Sequence, residues 1–230
     1  MRKLGLIGGM SWVSTRSYYD RINRLVQRAD PQSSAPLLIE SLDFAHLQRL
    51  HDEADWQRAA TVLSESARRL EQAGAGALII AANSMHRVYD EVAGAVAVPI
   101  LHIAECVGQT MAADGVQSAA LLGTHNVMTE SFYRRRLVAH GVDLLPPDMA
   151  YAEALDRIIY DQLMANKVTR EAERALKTMI TEIDKDGAEA VVLACTELEM
   201  VVDVDANVLP IYDSTRIHAR AAADWILGGD

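Results

Sequence analysis

Two stretches of this 230-residue chain repeat one another, and the repeat limits the fold more than any other feature. The segment Gly74-Ala-Gly-Ala-Leu-Ile-Ile-Ala-Ala-Asn-Ser-Met-His86 aligns with Gly187-Ala-Glu-Ala-Val-Val-Leu-Ala-Cys-Thr-Glu-Leu-Glu199, an offset of 113 positions. Each copy reads as a helix-ending glycine, a buried strand, and polar residues that open the next element. A second match sits upstream. Leu6-Ile7-Gly8-Gly9 aligns with Leu121-Leu122-Gly123-Thr124, and Tyr18 with Tyr133, at an offset of 115. Gly-Ala-x-Ala is a cheap coincidence taken alone. Two matches in the same order favour duplication, and they make Ala82 and Cys195 equivalent positions.

The rest of the chain fits that plan. Short apolar runs at Leu4–Ile7, Leu37–Glu40, Ala77–Ala81, Ile100–Leu101, Ala119–Leu122, Val191–Ala194 and Val208–Ile211 read as strands of parallel sheets covered on both faces. Amphipathic stretches alternate with them. Ser14–Gln27 has Ser14 or Thr15 as its cap, Trp56–Ala73 stops at Gly74, and Thr169–Asp186 stops at Gly187. The only linker-like stretch is Gly141–Asp148, with Pro146-Pro147. Strand–helix alternation predicts an α/β chain of two Rossmann-like halves, each a mainly parallel sheet flanked by helices. Residues 1–100 with 211–230 form one half, and 101–210 the other. Ligands bind at strand carboxyl ends in such sheets. Facing halves would bring Gly8–Ser14, Ala82–His86, Gly123–Met128 and Cys195–Glu197 to one cleft.

Composition removes whole classes of function. Lys and Arg number 22 against 32 Asp and Glu, a formal charge of −10, and Arg134-Arg135-Arg136 is the only basic run. Nucleic acid therefore has no electrostatic footprint here. No apolar run is long enough to span a bilayer, and Leu4–Ile7 is too short for a signal core. Two cysteines, Cys106 and Cys195, make neither a disulfide framework nor a zinc site and suit a reducing cytoplasm. His46, His51, His86 and His125 have no paired ligand spacing, so no metal is expected. Gly8-Gly9-Met10-Ser11 lacks the third glycine of a dinucleotide fingerprint.

Cys195 sits at a strand-to-helix junction, where a helix N-terminus would lower its pKa. A packed structural thiol is the plainer fate of a free cysteine, but Thr196 and Glu197 directly after it favour reactivity. Glu197 opposes a thiolate electrostatically and suits a substrate ammonium. Asn83 and Ser84 suit a substrate carboxylate, or a simple helix cap. His86 suits an acid or base, or packing. Gly123-Thr124 makes a tight turn with a hydroxyl, and Asp213-Ser214-Thr215 a turn and cap. Cys106, inside the amphipathic run His102–Met111, reads as core.

Together, Leu4-Gly-Leu-Ile-Gly-Gly-Met-Ser-Trp12, Asp43-Phe-Ala45, Asn83-Ser-Met-His86, Leu122-Gly-Thr124 with Phe132-Tyr133, Ala194-Cys-Thr-Glu197 and Asp213-Ser-Thr215 resemble the aspartate/glutamate racemase family. These enzymes are cofactor-independent. The resemblance implies two pseudo-symmetric halves, a cleft between them, a homodimer, and two cysteines on opposite faces of the substrate α-carbon. Carried over, Cys195 matches the second cysteine, with Thr196 and Glu197 as its neighbours. Asn83 and Ser84 match the pair after the first cysteine, and Thr124 the Gly-Thr pocket residue. Met10 falls among the substrate-binding positions, as does His51, where the family often has Gln or Arg. The first cysteine position holds Ala82, which has no proton to give. Val127 and Val13 stand where Thr and Glu are frequent. Water or Ser84 replaces the missing acid, the reaction needs one thiol, or the first nucleophile was removed by substitution.

The resemblance thus predicts a racemase-type enzyme acting on L-aspartate or L-glutamate, with Cys195 as α-proton acid/base and a one-sided or impaired reaction. The alternatives are a single-cysteine decarboxylase of the same superfamily, with Val127 and Ala82 in an apolar pocket, and a non-catalytic homologue that binds a dicarboxylate.

Overall fold

The computed structural model describes residues 1–43, 45, 50 and 52–228. In chain order its first elements are β1 (Leu4–Gly8), α1 (Trp12–Ala29), β2 (Leu37–Ser41), α2 (Glu53–Gln72), β3 (Ala77–Ile80), α3 (Tyr89–Ala93) and β4 (Ile100–Leu101). There follow α4 (Ile103–Ala113), β5 (Ser118–Gly123), α5 (His125–Thr129), α6 (Ser131–Ala139), β6 (Asp143–Leu144), α7 (Met149–Asp161), α8 (Arg170–Lys185), β7 (Ala190–Ala194), β8 (Ile211–Asp213) and α9 (Ser214–Leu227). Two compact units result: Met1–His102 with His218–Asp230, and Ile103–Ile217.

Each unit carries a four-stranded, wholly parallel sheet. The orders are β2-β1-β3-β4 and β6-β5-β7-β8. The repeat read from sequence is therefore one topology used twice, with β1 matching β5 and β3 matching β7. Strand side chains alternate between faces with the period of two that a pleated strand imposes. In the first unit Leu4, Leu6, Ala77 and Ile79 pack with α1 and α9, while Ile7, Leu78 and Ile80 pack with α2. In the second, Ala119, Leu121, Val192 and Ala194 join α4 and α6, and Leu122, Val191 and Leu193 join α7 and α8. Both faces of each sheet are covered, which is why these strands read as unbroken apolar runs. Tyr18 and Tyr133, paired by the repeat, are both fully buried.

Helix ends follow local chemistry. Asp52, Asp148 and Thr169 accept N–H bonds from Asp55, Tyr151 and Ala172 at 2.9, 3.0 and 3.1 Å, satisfying donors that the first turn leaves open. Gly74 and Gly187 follow α2 and α8 at φ +91° and +86°, the left-handed conformation glycine takes without strain.

Several boundaries differ from the sequence reading. α1 starts at Trp12, and its cap is Ser11, not Ser14 or Thr15, both of which lie inside the helix. The last strand is Ile211–Asp213 rather than Val208–Ile211. Pro210 has no N–H for a ladder, and its carbonyl instead accepts from Val191 at the strand's entrance. The Gly141–Asp148 stretch is not merely linker, since Asp143–Leu144 pairs with β5 before Pro146 stops it. Because β8 pairs with β7, residues 211–217 go with the second unit and not, as expected, with the first, while β4 keeps residues 101–102 in the first unit and not, as expected, in the second.

Candidate active site

In the first unit β1 and β3 run side by side, so the loops that leave them are neighbours. Gly9 turns the chain at φ +84°, with its N–H on Thr15 Oγ1 at 2.8 Å. A Cβ there would lie 2.1 Å from the Leu42 carbonyl oxygen, so only glycine fits. Met10 follows, but its side chain is buried in the apolar cluster of Ile7, Trp56 and Leu63. Core packing thus accounts for the side chain of this expected substrate-binding residue.

Half-buried Ala82 leads from β3 to Asn83 and partly exposed Ser84. Asn83 was readable as a helix cap. The structure corrects that: its backbone is already helical at φ −64° and ψ −48°, and its side chain makes no capping bond. Both amide atoms of Asn83 are buried and have no hydrogen-bond partner among the described residues. A buried amide without partners is costly, and a bound polar group would satisfy it.

His86 is 2% exposed, and its Nδ1 lies 2.9 Å from the Ala82 carbonyl, an acceptor, so Nδ1 donates. Its ring packs edge-on against His102 and His218, at 4.6 and 5.9 Å between centroids. His218 Nε2 donates to the Leu101 carbonyl at 3.0 Å, which leaves Nδ1 to accept from the Tyr18 hydroxyl at 2.9 Å. Burial, and then neighbouring His86, hold His218 down to about 3. Sequence reading missed this histidine group, because its members come from separate elements with no motif spacing. The expected contribution of His51, and His46 with it, lies outside the described residues.

In the second unit β5 and β7 pair with Gly123 opposite Ala194, which sets Thr124 and Cys195 at adjacent strand ends. Buried Thr124 donates to Asn126 Oδ1 at 2.6 Å. The Cys195 thiol donates to Glu197 Oε2 at 3.2 Å, and the Thr196 hydroxyl donates to the same oxygen at 2.6 Å. The structure therefore brings Cys195, Thr196 and Glu197 into one bonded group, all three buried.

The expected fall in the thiol's pKa is reversed. Burial first, and the Glu197 charge second, push the Cys195 thiol well above its ordinary value. The backbone N–H groups of Glu197 and Leu198 pull the other way but do not win. They open a 3-10 turn of only five residues, Thr196–Met200, which has little dipole to offer. Asp213 caps α9 as read, accepting from the N–H groups of Thr215 and Arg216 at 2.9 and 3.2 Å. Cys106 is buried in α4, with its thiol pushed up to about 11 by burial and by Glu105.

Among the described residues no group of three His, Cys, Asp or Glu side chains converges as a metal site. None of their helices is long and apolar enough to cross a membrane.

Comparison with known proteins extends these observations over the whole chain. A crystal structure from Yersinia pestis assigned to the Asp/Glu racemases superposes with a TM-score of 0.90 at 37% identity, covering 99% of this chain and all of that one. An aspartate racemase homologue from Pyrococcus horikoshii OT3 gives 0.83 at 30%, with 99% and 100% covered. The broad specificity amino-acid racemase RacX of Bacillus subtilis is 23% identical over 97% of this chain and 98% of its own. The family model for Asp/Glu/Hydantoin racemases matches residues 7–222, which take in β2 to β8 and both strand-end groups described above. The chain belongs to the Asp/Glu/Hydantoin racemase family.

Proposed function

We propose that this protein is a racemase-type enzyme that acts on an acidic amino acid, L-aspartate or L-glutamate, with Cys195 as the acid/base at the α-carbon. The observation that carries the reading is the bonded group at the end of β7: a buried thiol, able to give or take one proton, held by Glu197 beside Thr196. Removing an α-proton without a cofactor leaves a carbanion that only positioned donors and charges can stabilise. Asn83, with both amide atoms buried and unpartnered among the described residues, and Ser84 beside it are the proposed carboxylate ligands. Thr124 and Thr196 supply further hydroxyls. Ala82 leaves no thiol at the position equivalent to Cys195, so proton exchange on the Cys195 face outruns inversion.

The test is α-proton exchange in heavy water with each enantiomer of aspartate and glutamate. One enantiomer is expected to take up deuterium faster than it inverts. Absence of exchange from all four would overturn the reading.

A second reading has its own support. Cys195 rests as a thiol, and Ala82 is apolar. One proton donor, with an apolar residue at the equivalent strand end, suits decarboxylation followed by protonation from one side. Disubstituted malonates distinguish the two: release of CO2 supports this second reading, and inertness towards them rejects it.

A further inference from the structure

We propose that Glu197 is a substrate-operated lock on Cys195: its carboxylate holds the residue as a thiol in the free enzyme, and pairing with the substrate's α-ammonium releases the thiolate. The inference rests on the reading that the ligand is an acidic amino acid, and it adds how the base is switched on.

The geometry is specific. One carboxylate oxygen, Glu197 Oε2, receives both the Cys195 S–H at 3.2 Å and the Thr196 O–H at 2.6 Å. A carboxylate oxygen only accepts, so this bond requires the sulfur to carry its proton. A thiolate in the same place would set two negative charges in contact inside a site where Cys195 is 8% and Glu197 3% exposed. Like charges that close cannot both persist without a counter-charge.

The groups that act on the thiol are few. Burial first and the Glu197 charge second favour the thiol, and the backbone N–H groups of Glu197 and Leu198 favour the thiolate. Those two N–H groups belong to the backbone turn Thr196–Met200, and burial is set by the fold. What a ligand can change is the carboxylate's field.

Charge bookkeeping then selects the ligand. Free, the pair is carboxylate plus thiol, with one net negative charge. With an α-ammonium against Glu197, it becomes carboxylate, ammonium and thiolate, again one net negative charge. The S–H bond breaks, its electron pair stays on sulfur, and the proton leaves to solvent; nothing is oxidised or reduced. Beside Glu197 the ammonium thus replaces the positive charge that the departing proton takes away, and offsets the repulsion between carboxylate and thiolate. A diacid lacking the amine cannot make it. The enzyme would thus expose a strong base only when an amino acid is present.

The experiment follows thiolate absorbance at 240 nm against pH, as the difference between the protein and its Cys195→Ala counterpart, so that Cys106 and the tyrosines cancel. The wild-type pair is expected to show no thiolate through pH 8. In the Glu197→Gln background the titration should move down by about one to three pH units. In the Glu197→Asp background it should stay near the wild-type position, which separates charge from damage to the fold. A second arm needs no Glu197 variant. Saturating L-aspartate or L-glutamate at pH 8 should raise the wild-type difference signal, and succinate or glutarate should not. Titration of Glu197→Gln together with wild type would overturn the lock, even if α-proton exchange is found. A downward move in Glu197→Gln with no response to any amino acid, and no exchange, would keep the lock but overturn the acidic amino acid as its key.

Discussion

Cys195 and Asn83 carry opposite signatures of a working site. Cys195 is over-bonded for a base: its proton is held by Glu197, and both burial and that charge favour keeping it. Asn83 is under-bonded, with a buried amide that none of the described residues satisfies. Such a group costs about 1–3 kcal/mol of stability, which a substrate carboxylate would offset on binding. Replacing Asn83 with Leu is therefore expected to raise the midpoint of urea unfolding while abolishing ligand-induced stabilisation by L-aspartate. A lowered midpoint would show the amide to be a structural group instead. The two residues were legible to different degrees. Cys195 stood out in the sequence because a thiol after an apolar strand, followed by Thr-Glu, is unusual packing. The direction of its pKa was not legible, since that depends on how deeply the strand end is buried and on where the Glu197 side chain turns. Asn83 carried two readings in sequence, cap or ligand, and only its helical φ and ψ removed the first.

Among the elements, turns and caps set the strand-end loops, and they can be tested separately from chemistry. Gly9 combines a positive φ with a Cβ position 2.1 Å from the Leu42 carbonyl oxygen. Gly9→Ala must shift backbone as well as adopt strained dihedrals, so it should cost well over the ~1 kcal/mol of a simple left-handed residue. Gly187→Ala, with φ +86° and open space around its Cβ, should cost about 1 kcal/mol. Denaturant titrations of the two variants, side by side, check the contrast; equal costs would show that the Leu42 contact yields. Removing the α2 or α8 cap, by Asp52→Ala or Thr169→Ala, should cost about 0.5–2 kcal/mol each in the same assay. Strand cores and the two glycine stops were readable because buried parallel strands are apolar throughout and glycine ends helices. The β6 edge was not, because a two-residue strand between Gly141 and Pro146 has too little pattern to register. Val208 looked like strand by type, yet it is exposed, and Pro210 behind it delays the ladder until Ile211.

For the molecule as a whole, the repeat was the strongest signal in the sequence. It survives as one sheet order used twice, with Tyr18 and Tyr133 at equivalent buried places. The equivalence breaks where chemistry enters, at Ala82 against Cys195. The histidine group around His218 was invisible in sequence, since Tyr18, Leu101 and His218 are brought together only by folding. It has a consequence for global stability. Between about pH 6.5 and about 3 the unfolded chain protonates this histidine while the folded one, held down to about 3, does not. The unfolded state thus binds the extra proton, and stability falls as pH drops through that window, by up to about 1.4 kcal/mol per pH unit. His218→Gln should flatten the dependence of Tm on pH between 4 and 6; an unchanged slope would assign acid sensitivity to other groups. The central claim concerns Cys195, and α-proton exchange in heavy water tests it most directly. Wild type is expected to wash deuterium into L-aspartate or L-glutamate, and a folded Cys195→Ala variant to lose about 10²–10⁴ of that rate. Exchange that persists undiminished in Cys195→Ala would contradict the account.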